Sequence, residues 1–124
     1  MVWFQVLGEV SASSEHGPLP LGSARQRAVL AALLAEPGVM VSLDQLVDRV
    51  WGATPPASAR QTLHSYISRL RGVLRDEGGP LLARRSSGYV LAVDVSAVDL
   101  HRFRALVARA KQADDDTAAL WQAR

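Results

Sequence analysis

The sequence predicts an α+β fold: a small N-terminal antiparallel sheet, three helices, a C-terminal β-hairpin, and one or two appended helices. Three observations carry this expectation. The opening VWFQVLGEVSAS is β-branched and aromatic, and shows no helical period. Between Ser23 and Arg75, three segments repeat apolar side chains at spacings of three and four residues. After DEGGP the pattern changes to LLARRSSGYVLAV, two apolar runs around a polar turn.

Taken in order, the first segment holds two or three short antiparallel strands over roughly 2–22, with EHG as a turn before PLPLG. Ser23 caps a first helix that runs to about Glu36 and carries Ala28, Leu30, Ala31, Leu33 and Leu34. Pro37-Gly38 stops it. Val39 to Val41 form an extended link. Ser42 then caps a second helix, with Leu43, Leu46, Val47 and Val50 inward and Asp44 well placed against the helix dipole. Trp51-Gly52 closes it, and Trp51 is expected in the core.

The third helix is expected over 55–75, with Pro55 and Pro56 at its start. Leu63, Ile67, Leu70 and Leu74 define one face. Stepping about 100° per residue puts Ser58, Gln61, Ser65, Ser68 and Gly72 on the other. Thr62 and Arg69 flank that narrow polar row on one shoulder and Arg75 on the other. The segment holds four arginines, Arg60, Arg69, Arg71 and Arg75, and no acid. A small-sided, hydrogen-bonding face edged with cations suits the major groove, which admits little more than a helix.

Three helices, the last basic, followed by a hairpin over 82–93 with Arg84 and Arg85 near its tip, make a winged helix-turn-helix. In that arrangement one helix enters the major groove, and the wing follows the backbone or the minor groove. Alternation sends Arg84 and Arg85 to opposite faces. Gly88 is expected in the tight turn, and Tyr89 against the third helix. From Asp94, Val98, Leu100, Phe103, Leu106, Val107 and Ala110 predict a helix of about 14 residues. DDDTAALWQAR is expected to begin another, with Asp114, Asp115 and Asp116 as a cap or a solvated loop.

Composition bounds the function. At 124 residues the chain supports one compact core and an appendage. Its 48% hydrophobic and 21% charged residues are those of an ordinary globular protein. No apolar run approaches the roughly 18 residues of a membrane span, and no basic region precedes an export signal. A cytoplasmic protein without a membrane partner is expected. The chain has no cysteine, which excludes disulfides and thiolate metal sites. His16, His64 and His101 have no neighbours at metal-ligand spacing, so neither metal nor cofactor is expected. No P-loop, nucleophile-elbow or paired-histidine zinc motif is present, and the chain does not read as an enzyme. A net charge of +2 is too small to define a partner; the clustering of arginine is the informative part.

The ordered run RQRAVLAALLAEPGVMVSLDQLVDRVWG, ASARQTLHSYISRLRGVLR, SGYVLAVD and DLHRFRALV resembles the actinomycete antibiotic regulatory proteins, as far as about Val107. The resemblance implies an OmpR/PhoB-type winged-helix DNA-binding domain over 1–94 and the start of a helical bacterial transcriptional activator domain over 95–124. Family members carry that second domain complete, so a chain stopping at Arg124 is expected to be a fragment or a protein keeping only the DNA-binding half. The implied function is a pathway-specific, nucleoid-associated activator of secondary-metabolite genes. It would bind promoter direct repeats in double-stranded DNA as side-by-side copies, a DNA-dependent tandem dimer, and recruit RNA polymerase.

By the same resemblance Gln61, Thr62, Ser65, Ser68, Arg69 and Arg71 face DNA. Arg69 is the leading candidate, because its fork fits guanine O6/N7 or a phosphate. Arg71, about 80° from the apolar centre, either reaches DNA or stays with the protein, lying over the core or pairing with an acid. Arg60 and Arg75 are phosphate contacts or solvated charges, and His64 is a surface residue or a phosphate contact. His101 is expected to dock the appended helix beside Asp99. The alternative function is a winged-helix module that binds protein and does not read DNA.

Overall fold

Residues 1–78 and 81–122 are described in the computed structural model, together with the side chains of 1–78 and 82–113. Strands β1 (Trp3–Gln5), β2 (Ser11–Ser14) and β3 (Gly17–Pro18) form an antiparallel sheet in sequence order, three strands where two or three were expected. Phe4 pairs with Ala12 and both face inward, while Trp3 and Gln5 on alternate positions stay exposed. Ser14 and His16 both approach Glu77, at 2.8 and 3.3 Å, which ties this sheet to the far end of the third helix.

Helix α1 (Ala24–Leu34) starts where Ser23 Oγ accepts the Gln26 amide at 3.2 Å. The Gln26 side chain is buried and donates to the Leu21 carbonyl at 2.7 Å, so its amide nitrogen is not left unpaired. Val29, Leu30, Leu33 and Leu34 fill the centre of the core. The helix ends before Pro37-Gly38, and Gly38 donates to the Leu91 carbonyl at 2.9 Å.

Helix α2 (Leu43–Trp51) opens on a reciprocal capping box: Gln45 N donates to Ser42 Oγ at 3.1 Å, and Ser42 N to Gln45 Oε1 at 3.0 Å. Leu46 alone on it is fully buried; Leu43, Val47, Val50 and Trp51 pack at the core margin. Trp51 is therefore half-buried and not a core residue, and the Arg25 guanidinium lies 5.5 Å from its ring centroid. Arg49 fastens α2 to the end of α1, donating to the Ala32 carbonyl at 3.1 Å and to Glu36 at 2.7 Å.

Helix α3 (Ala59–Asp76) begins four residues later than the sequence reading, leaving Pro55 and Pro56 in the preceding loop. A residue before proline is pushed out of the helical region, so Thr54 and Pro55 cannot lead into a helix. Ala59 N donates to the Pro56 carbonyl at 3.0 Å, and the ladder starts from Ser58. Ala59, Leu63, Ile67, Leu70 and Leu74 are all buried. Each of the four large residues among them contributes about 1.5–3 kcal/mol on burial.

Strands β5 (Leu81–Arg85) and β6 (Gly88–Ala92) form the expected hairpin, with β4 (Val41–Ser42) as a third strand in the order β4-β6-β5. The link between α1 and α2 is thus part of the sheet. Gly88 makes this possible: a Cβ there would stand 2.1 Å from the Val41 carbonyl oxygen. Its role differs from the expected one, because the turn itself is Ser86-Ser87, with Ser86 at φ 49°.

After a short 3-10 turn at Val95–Ala97, helix α4 runs unbroken over Asp99–Gln122. The expected break at Asp114 is absent: the backbone passes through 114–116 as helix, so these residues are neither a loop nor a new start. Whether their side chains are solvated lies outside the described residues. No Gly or Pro interrupts 99–122, and strong helix formers flank the weak run 114–117 on both sides, so the helix carries through it. No helix among the described residues is long and apolar enough to cross a membrane.

Candidate nucleic-acid interface

Helix α3 places its residues by angle. The buried leucines and Ile67 anchor one face against α1 and α2, and the opposite face is open. Gln61, Ser65, Ser68 and Arg69 are exposed, and Thr62 is half-buried beside them. Among the described residues, no side chain of this set has a partner outside α3; Ser65 Oγ makes only a back-bond to the Gln61 carbonyl at 3.3 Å. The sequence-derived polar row is therefore gathered on one accessible strip, with Arg69 at its edge. Arg75, also exposed, has no side-chain partner among the described residues.

The other two arginines of the helix are engaged. Arg60 forms an ion pair with Asp44 at the start of α2, and both side chains are largely exposed. Arg71 is half-buried; its Nε donates to the Leu82 carbonyl at 2.9 Å, and its guanidinium lies 6.0 Å from the centre of the Tyr89 ring. Arg71 thus lies over the core at the root of the wing, and its partner there is a carbonyl and not an acid.

Tyr89 is buried on β6 with its hydroxyl 2.6 Å from His64 Nδ1, and the two rings meet edge to face at 5.8 Å. His64 is accordingly neither a free surface residue nor free to reach a phosphate by Nδ1. Together His64, Tyr89 and Arg71 lock α3 to the hairpin. Pairwise contact between a helix residue and a strand residue 25 positions away leaves no spacing signal, so sequence reasoning missed the His64–Tyr89 bond. Arg84 and Arg85 are both exposed at the hairpin tip, where Arg85 Nη1 donates to the Arg84 carbonyl at 3.0 Å. The Ser87 carbonyl accepts the Leu43 amide at 3.0 Å, so the wing tip is tethered to the start of α2.

Two helices joined by a short turn, the second presenting a polar strip, and a wing carrying two arginines define a winged-helix DNA-binding domain. The family model described as "Transcriptional regulatory protein, C terminal" matches residues 18–91. The chain belongs to this family, whose domain is of the OmpR/PhoB type. It is 43% identical over 106 residues to the transcriptional regulatory protein MoaR1 of Mycobacterium tuberculosis, covering 82% of this chain and 34% of MoaR1. It is 41% identical over 111 residues to the regulatory protein AfsR of Streptomyces coelicolor, covering 89% of this chain and 11% of AfsR. The solved structure of Mycobacterium tuberculosis EmbR in complex with a low-affinity phosphopeptide superposes with a TM-score of 0.77 at 36% identity, over 84% of this chain and 28% of that one. The chain spans about a third or less of the length of each of these relatives.

Proposed function

We propose that this chain is the DNA-reading part of a pathway-specific transcriptional activator of secondary-metabolite genes. The observation that carries the proposal is the open strip Gln61–Thr62–Ser65–Ser68–Arg69 on a helix whose opposite face is sealed in the core. Laid in the major groove, α3 reads base edges through Arg69, Gln61 and the short hydroxyls, whose donor and acceptor groups fit base edges and phosphates alike. Arg84, Arg85 and Arg75 supply phosphate contacts that fix orientation without reading sequence. Arg60 joins them once it leaves Asp44. Arg71 supports the wing.

In this reading residues 1–94 are the DNA-binding domain and 95–124 open a helical activator domain. Copies sit side by side on promoter direct repeats in the cytoplasm and contact RNA polymerase. Selection of bound sequences from random DNA tests the proposal. The expected result is a direct repeat whose half-sites lie about one helical turn, 10–10.5 bp, apart. Affinity for the selected site should fall linearly on a log–log plot against salt. A salt-independent response with no sequence enriched overturns it and favours a protein-binding module.

A further inference from the structure

His64 closes one edge of the polar row on α3. At about 100° per residue it stands about 40–60° from Ser68 and Gln61, which neighbour it one turn ahead and one turn behind. Its Nδ1 is committed to the buried Tyr89 hydroxyl at 2.6 Å. Its Nε2 has no partner among the described residues, and it is not buried away from solvent. The pair sets its own hydrogen positions. Among the described residues Nδ1 is the one acceptor that the Tyr89 hydroxyl hydrogen has, and without it that hydrogen would be buried unpaired. Tyr89 therefore donates to Nδ1, and the neutral imidazole carries its hydrogen on Nε2. The charged ring carries one there as well. In both states an N–H is offered at the seam between α3 and the wing.

The wing brings a cation to the same seam. Arg84 stands directly opposite Tyr89 in the hairpin, so the two side chains leave the same face of the sheet, the face on which the Leu82–Leu91 pair is buried. Arg85 pairs with Gly88 on the other face. Arg84 is exposed, and its guanidinium has no partner among the described residues. Arg71 lies over the Tyr89 ring at 6.0 Å, and Arg60, one turn before His64, pairs with Asp44 of α2. Among the described residues, three guanidinium groups thus stand about the seam against one acid, a balance that favours an anion.

We propose that His64 Nε2 and Arg84 hold one and the same phosphate of bound DNA in this seam, with Tyr89 as the positioning residue that keeps the Nε2 hydrogen turned outward. The proposal deepens the DNA-reading function above and rests on it. An N–H and a guanidinium converging from two elements fix a phosphate in direction as well as in charge. The contact sets the rotation of α3 in the groove: with one shoulder pinned at His64, Gln61 and Ser68 face the base edges. Strand register makes Arg84, and not Arg85, the wing arginine that takes part.

The test uses the whole 124-residue chain and duplexes of its selected site in which single phosphates are replaced by neutral methylphosphonates. Fluorescence anisotropy should find one position where the replacement weakens wild type about five- to tenfold, yet weakens His64→Asn and Arg84→Gln less than about twofold. Asn keeps an amide near the place of Nδ1 and Gln keeps one near Nε2. On the natural duplex His64→Asn should therefore lose about tenfold in affinity, and His64→Gln no more than about threefold. Tyr89→Phe frees the ring to turn; it should lose about threefold on the natural duplex and nothing on the duplex modified at that position. Long-range 1H–15N NMR of free wild type at about pH 8 reads the tautomer without any variant, and Nε2–H is expected. An Nδ1–H tautomer overturns the proposal, as does a replacement that costs the variants as much as wild type at every position. His64→Asn binding better than His64→Gln also overturns it, by reducing the ring to its bond with Tyr89. Wild type that binds no DNA overturns the DNA-reading function as well, whereas the other adverse outcomes leave that function standing.

Discussion

Arg69 and Arg71 are two residues apart on one helix, and the structure gives them different work. Arg71 donates to the Leu82 carbonyl at 2.9 Å and covers the Tyr89 ring at 6.0 Å. Removing it leaves a strand carbonyl without its donor, at a cost of about 1–1.5 kcal/mol, and forfeits a cation–π contact of about 0.5 kcal/mol. The expected loss is therefore about 1.5–2 kcal/mol. At an unfolding entropy of about 2.1 cal/mol/K per residue, a chain of 124 residues loses roughly 4 °C per kcal/mol, so Arg71→Ala should lower Tm by about 6–8 °C. Arg69→Ala removes an exposed side chain that has no partner among the described residues and installs the best helix former, so its Tm should move by no more than about 2 °C. DNA affinity should show the reverse order. Arg69→Ala should cost about 1–3 kcal/mol on the selected site and much less on random DNA if it reads a base. Thermal denaturation by circular dichroism and fluorescence anisotropy with both DNAs measure the four quantities. If Arg71→Ala leaves Tm unchanged and weakens DNA binding as much as Arg69→Ala, the division between the two arginines is wrong.

Gly88→Ala should be far more damaging than an exposed glycine substitution, because the new methyl meets Val41 backbone atoms at 2.1 and 2.7 Å that cannot rotate away. We expect a loss of about 2–3 kcal/mol in urea unfolding, and an unchanged midpoint would show that β4 does not need this close approach. Asp44→Asn should free Arg60 and remove an acid from the DNA-facing side, raising affinity for random DNA about two- to fivefold, with a steeper salt slope; the same affinity in Arg60→Ala and Arg60→Ala/Asp44→Asn would confirm only part of this, whereas no change in the single variant would refute it. The Asp94 carboxyl is held below the ordinary carboxylate range, chiefly by the Ser96 amide that it accepts at 2.8 Å. A depressed folded-state pKa stabilises the fold above the unfolded value of about 3.9 and ceases to do so as pH falls through the folded value. The stability gap between wild type and Asp94→Ala should thus be constant above about pH 5 and close below about pH 4 in urea titrations; a gap that widens with acid would reverse the assignment.

The elements that were legible in the sequence are those whose signals are local. Ser23 and Ser42 cap α1 and α2 as their types and positions foretold, and the Leu63–Ile67–Leu70–Leu74 spacing located the buried face of α3. What was not legible depends on chain segments far apart. Strand β4 is two residues long and exists because Val41 finds Tyr89 across 48 positions. The need for Gly88 lies in that same encounter, not in the adjacent turn. Trp51 looked like a core residue by type, but its place at the end of α2 puts one side of the ring under Arg25 and in reach of water. On α4 the periodicity correctly gave a helix, yet a helical period reports only that one stripe is apolar. It does not say what covers that stripe, and among the described residues nothing covers Phe103 and Leu106.

The arginines of α3 show how far angular reasoning extends. Measured from Leu63, Arg60 and Arg71 stand at about 60° and 80°, and Arg69 and Arg75 at about 120°. Among the described residues, the two nearer the core are the two with side-chain partners, Asp44 for Arg60 and the Leu82 carbonyl for Arg71. A long cation close to the apolar face lies along neighbouring elements, where carbonyls and acids are within its reach. One at about 120° points away from all of them, and its donors are left for a ligand or for water. Arginine count therefore overstates the reading surface, and angle from the apolar face corrects it. The correction leaves Arg69 beside the polar row as the cation best placed to read a base, with Arg75 on the other shoulder for the backbone.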